Sequence, residues 1–140
     1  GSRIAVNKLD LSECVLTTLP SYGFYSLAFN CDFVAPSSVK TVDTFCNCSG
    51  CFKNITINDG MILRNQAFGA YSTEPISNFY LETVVFLGET PASIGKTPFA
   101  VQNIQNGFKI YVPDSSVEAY KAVANLASFV DCIHPMSEKE

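Results

Sequence analysis

Phe52-Lys53-Asn54-Ile55-Thr56-Ile57 alternates apolar and polar side chains over its last four residues, the two-residue period of a short strand. Sliding the chain against itself by 23 residues lays Val6 and Phe29 on Phe52, Leu11 and Val34 on Ile57, and Leu16 and Val39 on Ile62. Tyr22, Phe45 and Phe68 also coincide, Leu9 meets Ile55 after two shifts, and Leu19 falls on Val42. An apolar skeleton that recurs at a fixed interval marks a repeat architecture. Two positions break the register: Asp32 falls where Leu9 and Ile55 sit, and Asn65 where Leu19 and Val42 sit.

The alternation reads Leu9-x-Leu11, Ile55-x-Ile57, Val84-x-Phe86 and Ile110-x-Val112. Strands this short do not hold alone, but strands recurring along the chain can pair in parallel, turn upon turn. The expected fold is therefore a solenoid of short parallel β-strands stacked in a right-handed superhelix, with irregular or short helical returns. Phe45, Phe68 and Phe99 would fill its core from the far side. Phe52, Ile55 and Ile57 recur as Leu81, Val84 and Phe86, so the third unit is stretched by about eight residues. The polar, turn-forming segment near 70–78 is the expected insertion, a surface loop.

Val34-Ala35-Pro36-Ser37-Ser38-Val39-Lys40-Thr41-Val42 is similar to the Ile-Pro-x-Ser-Val-x-x-Ile unit of BspA-type leucine-rich repeats. Gln66-Ala67-Phe68 matches the Ala-Phe signature of that family, and Thr83 to Gly95 looks like one of its longer units. Ile110-Tyr111-Val112-Pro113-Asp114-Ser115-Ser116-Val117-Glu118-Ala119-Tyr120-Lys121, followed by Ile133-His134-Pro135, resembles the C-terminal cap common in its bacterial surface proteins. The resemblance spans roughly residues 9 to 135. It departs at the first unit, where Leu11-Ser12-Glu13 replaces the Ile-Pro step. What it implies is a bacterial secreted or cell-surface leucine-rich-repeat module for protein binding or adhesion, whose partner is an extracellular protein or glycan.

Val117, Tyr120, Val123, Ala124, Ala127 and Phe129-Val130 recur at helical spacing, with Ser115 or Ser116 placed as N-cap and Glu118 in the first turn. An amphipathic helix here would close the apolar end of the last coil. The expected organisation is a tag remnant (Gly1-Ser2) and lead-in over 1–8, about four coils over 9–113, a cap helix over 114–135, and a frayed tail over 136–140.

Apolar residues make up 47% of the 140 and charged ones 16%, with a net charge of -4. Such a chain buries a core, and it has no run of cations to displace counterions from phosphates, so nucleic acid is not an expected partner. No apolar stretch approaches the roughly 20 residues that span a bilayer, so no membrane insertion is expected.

Neither an enzyme's constellation nor a cofactor fingerprint is present. His134 stands alone as the one histidine, and Asp43, Asp59, Glu82 and Glu89 are scattered without the spacing of a paired acid and base. Asn47 and Asn54 begin Asn-x-Ser/Thr sequons, which a bacterial source would leave bare. Cys46-Asn47-Cys48-Ser49-Gly50-Cys51 brings three thiols within zinc-sharing distance along the chain. A second close pair is missing, so the expectation is that cysteines pack as small apolar residues, with no metal and no cofactor. Six cysteines permit three disulfides without requiring them.

The expectation is thus a non-catalytic recognition module. The alternatives are a structural spacer or terminal fragment of a larger surface protein, and, on the cysteine cluster alone, a cysteine hydrolase or zinc protein. Two binding surfaces are candidates. The first is the outward strand ladder Asp10, Phe33, Thr56, Val85 and Tyr111, with Ser12, Ala35, Asn58 and Leu87 one step beyond; its apolar members hint at a partner. The second is the inserted loop, represented by Tyr71, Glu74 and Tyr80.

Overall fold

The computed structural model describes residues 5–6, 9–11, 13–21, 23, 28–29, 31–44, 46, 52–69, 81–91, 93–100, 104 and 107–139. These form an α/β fold with two parallel sheets of short strands and few helices. One sheet has five strands, in the order β11(Ile133–Pro135), β10(Lys109–Val112), β8(Thr83–Phe86), β6(Asn54–Ile57), β4(Phe33–Val34). The other has four, in the order β2(Thr18–Leu19), β5(Thr41–Val42), β7(Ile62–Leu63), β9(Ser93–Ile94). β1(Ala5–Val6) and β3(Ala28–Phe29) pair separately, with Val6 beside Phe29 as the 23-residue shift requires. From β4 to β10 the chain visits the two sheets in strict alternation.

Register explains both misfits in the repeat. Thr18 pairs with Thr41 and Leu19 with Val42, a spacing of 23. Phe33, however, pairs with Ile55, and Val34 with Thr56, a spacing of 22. In the second sheet Val42 pairs with Leu63, a spacing of 21. Phe33 thus takes the inward place that uniform spacing hands to Asp32, and Leu63 the place it hands to Asn65. Because side chains alternate across a strand, a one-residue shift exchanges the faces of the whole segment. Ile55 lies beside Val84 and Ile57 beside Phe86, a spacing of 29, so the unit is stretched by six residues beyond the 23-residue period and not by about eight. The insertion at 70–78 lies outside the described residues.

Backbone conformation repeats along with the pairing. Gln66 and Thr97 both adopt positive φ (53° and 47°), and both precede a residue pair that ends in a buried phenylalanine, Phe68 or Phe99. Those two phenylalanines form a parallel bridge. A left-handed turn at the same place in successive units swings the chain so that each ring points inward.

Between the sheets runs a spine of aromatic rings. Phe33 packs on Phe52 (5.1 Å between centroids) and Phe68 (5.5 Å), Phe68 stacks on Phe99 (6.3 Å), and Phe99 meets both Phe108 and Phe129 at 6.0 Å. Phe86 bridges Phe99 to Tyr120. Ile55, Ile57, Leu63, Val84, Ile110 and Val112 fill the space around the rings, all buried. Phe68 and Phe99 are where the repeat places them; Phe45 lies outside the described residues.

Three expectations are corrected at the ends. Leu9, Asp10 and Leu11 form no strand, although Leu9 and Leu11 pack against the core. The cap is not one helix: α1(Val117–Lys121) is followed by Val123 in an extended conformation (ψ 120°) and then a 3₁₀ segment, Ala124–Cys132. Ser116 sits at the N-cap of α1 without capping it, because its hydroxyl is drawn down to donate to the Glu89 carbonyl at 2.6 Å. Ile133–Pro135 adds a strand to the sheet, with Ile133 beside Ile110. Met136–Glu138 then makes a 3₁₀ turn in place of a frayed tail, and the Ser137 amide donates to Asp114 Oδ1.

Candidate functional site

The outward face of the five-stranded sheet is organised in rows by the register. One row runs Val34, Thr56, Val85, Tyr111, His134, each residue paired with the next across adjacent strands. Val34 is 61% exposed, Thr56, Val85 and His134 are half-buried, and Tyr111 is only 7% exposed. The Tyr111 ring lies 6.2 Å from the His134 ring, whose Nδ1 is 3.6 Å from Glu138 Oε1. Leu87, just past β8, is 50% exposed and extends the apolar surface beyond the row.

The expected ladder is therefore kept in part. Thr56, Val85 and Tyr111 share the row, while Phe33 is fully buried and leaves it to Val34. Ala35 is buried as well, for the same one-residue reason. Asp10 is exposed but belongs to no strand. His134 joins the row beside Tyr111, outside the expected ladder. Its signal was the phasing of Ile133-His134-Pro135 with Ile110-Tyr111-Val112, 23 residues apart. Tyr71, Glu74 and Tyr80 lie outside the described residues.

A polar row borders the apolar one. Thr83 Oγ1 donates to Asn54 Oδ1 at 2.6 Å, and Asn54 Nδ2 donates to Asp32 Oδ1 at 2.9 Å. Lys109 continues the row beside Thr83. Asn54 is thus engaged on both sides, which commits its amide to holding strands together. At the β4 end, Leu9, Asp10, Leu11, Asp32, Val34, Ala35 and Pro36 enclose a groove of about 380 Å³.

Burial, reinforced by the neighbouring carboxylate of Asp32 or Asp131, pushes the thiols of Cys31 and Cys132 up from their ordinary range. A reactive cysteine needs the opposite shift. Cys14 and Cys31 are half-buried free thiols, and Cys132 is a buried one; Cys48 and Cys51 lie outside the described residues. Among the described residues no three His, Cys, Asp or Glu side chains converge as metal ligands. No described helix is long and apolar enough to cross a membrane.

No protein-family model matches the chain, and no curated protein matches it.

Proposed function

We propose that the chain is a leucine-rich-repeat solenoid of the BspA type that acts, without catalysis, as a recognition module at or outside the cell surface, with the five-stranded sheet as its binding face and a protein as its partner. The observation that carries this reading is the apolar outward surface formed by Val34 and Leu87, both exposed, with Val85 partly exposed between them. Val34 and Leu87 are 61% and 50% exposed; apolar side chains left so open on one side of a regular sheet are costly to keep in water, and exposure of this kind is characteristic of interaction sites. The alternation of strands between two parallel sheets, the repeated left-handed turn before Phe68 and Phe99, and the similarity of Val34 to Val42 to the family unit support the solenoid. A pure spacer would be better served by charged residues at Val34 and Leu87, as solvated sheet faces usually are.

Arrays of extracellular matrix proteins, bacterial surface proteins and glycans, probed with the wild type and with Val34→Asp and Leu87→Asp, test the proposal. Both residues are exposed, so neither change disturbs the core. The expected result is a protein ligand whose binding falls about tenfold or more in each variant, as for central interface residues. Ligands bound equally by all three proteins would place recognition elsewhere.

A further inference from the structure

The turn between β6 and β7 is Asn58-Asp59-Gly60-Met61. Of the six aspartates in the chain, Asp59 is the one followed by glycine. Gly60 stands at φ 79°, with no atom beyond its chain neighbours within 4 Å of the place a Cβ would take, and both Asp59 and Gly60 are exposed. One bond closes the turn, from the Met61 amide to the Asn58 carbonyl, and at 3.3 Å it is longer than usual. Among the described residues nothing hydrogen-bonds the Asp59 carboxylate or the Gly60 amide.

Four of the other aspartates are held by the fold. Thr44, the residue after Asp43, donates its amide to Asp43 Oδ1 at 2.7 Å, and Arg64 Nε lies 3.8 Å from the same oxygen. Asp114 Oδ1 accepts from the Ser137 amide and Asp32 Oδ1 from Asn54 Nδ2, each at 2.9 Å. Asp131 lies inside the 3₁₀ segment, before the buried Cys132. Even Asn58, next to Asp59, has its side-chain amide committed to the Ala35 carbonyl at 3.0 Å. An aspartate rearranges with its own backbone only when the next amide can swing onto its carboxyl carbon, and at Asp59 neither group is tied.

We infer that Asp59-Gly60 is a site of spontaneous backbone modification, at which the folded protein forms isoaspartate. The Gly60 nitrogen attacks the protonated side-chain carboxyl carbon of Asp59, a C–N bond forms, and the carboxyl hydroxyl leaves with the amide proton as water, closing a five-membered imide. Water then adds at the α-carbonyl carbon and the bond from that carbon to the Gly60 nitrogen breaks. The chain now runs through the side-chain carbon, and the α-carboxylate is free. One water leaves and one enters, and nothing is oxidised or reduced. Glycine favours the first step because no Cβ shields its nitrogen or restricts its rotation. The product adds a methylene to the backbone between β6 and β7 and moves the carboxylate away from Gly88, where a Cβ would stand 2.5 Å from Asp59 Oδ1. This chemistry is independent of the recognition reading.

The test holds the folded full chain, and beside it a capped peptide of residues 57–63, at body temperature and neutral pH for several weeks. Isoaspartate is counted by methyl transfer with an isoaspartyl methyltransferase and placed by electron-transfer fragmentation of digests. The expected result is isoaspartate at Asp59 of the folded chain at a rate within about tenfold of that in the peptide, because an exposed, unbonded turn opens at little cost. Asp43 and Asp114 should convert more slowly than Asp59 by about tenfold or more, since their bonds must open first. Deamidation at Asn106-Gly107 also yields isoaspartate, but it raises the mass, so the two products separate. Asp59→Glu keeps the charge and would need a six-membered ring, so the product at this position should vanish. An unchanged Asp59 in the folded chain after the peptide has converted overturns the inference. So does isoaspartate arising as fast at Asp43 or Asp114, or a product in this turn that survives Asp59→Glu.

Discussion

The phenolic hydroxyl of Tyr120 donates a 2.7 Å hydrogen bond to the carbonyl oxygen of Gly88, 32 residues earlier in the chain. Tyr120 is 1% exposed, and its ring packs on Phe86 at 5.1 Å. One side chain thus ties α1 to the turn that follows β8, satisfying a buried carbonyl that no strand pairs. Tyr120→Phe removes only the hydroxyl and leaves that carbonyl unsatisfied, so it should cost about 1–3 kcal/mol in urea unfolding. A cost near zero would show that water replaces the bond.

The same tyrosine sets an alkaline limit. Burial, with a smaller contribution from Asp59, pushes its hydroxyl up to about 12. In the unfolded chain it ionises near 10. The fold therefore favours the neutral form, a contribution present in full below about pH 10 and lost as pH rises toward 12. Comparing urea midpoints of the wild type and Tyr120→Phe across that interval should show the wild-type advantage shrinking with pH. A constant gap would deny the coupling.

Two glycines differ in what a methyl group would meet. A Cβ at Gly95 would lie 2.5 Å from the Asn65 backbone nitrogen and 2.6 Å from the Arg64 carbonyl carbon. At Gly88 the nearest atom is a side-chain oxygen, Asp59 Oδ1, also at 2.5 Å. Backbone cannot step aside as a carboxylate can. Gly95→Ala should therefore cost about 2–3 kcal/mol, as overpacking does, and Gly88→Ala less, most of it recovered when Asp59→Ala is added. Equal costs, with no recovery, would contradict this.

Thr97 holds φ at 47°, a region in which a β-branched residue is strained by roughly 1–2 kcal/mol. Thr97→Gly should stabilise the protein, by less than about 1 kcal/mol once the greater freedom of unfolded glycine is subtracted. A loss of stability on thermal unfolding would mean that the threonine side chain makes a contact worth more than the strain.

Much of the architecture is legible in the sequence, because strands of alternating apolar residues recur where Ile55, Val84 and Ile110 lie side by side. What escaped was small in residues and large in consequence. Uniform spacing assigned Asp32 to the core, and a single deletion between Phe33 and Ile55 moves Phe33 inward and Val34 outward. The cue was present: an aspartate at an inward position is expensive, and a phenylalanine beside it removes the expense by a one-residue shift. Val117 to Val130 keeps helical spacing, which predicts one helix for the cap. Spacing cannot show that Val123 extends, or that the 3₁₀ turns after it bury Leu126 and Phe129 instead. Tyr111 followed the strand period outward, yet the final strand brings His134 beside it and covers it, a tertiary effect beyond local pattern.

The placement of Phe33 and Val34 decides which residues the sheet offers to a partner, and urea unfolding of Phe33→Ala and Val34→Ala measures it most directly. Phe33 is fully buried against Phe52 and Phe68, so its truncation should cost about 3–5 kcal/mol. Val34, 61% exposed, should cost no more than about 0.5 kcal/mol. The reverse order, with Val34 the costly position, would return Phe33 to the surface and remove Val34 from the proposed binding face.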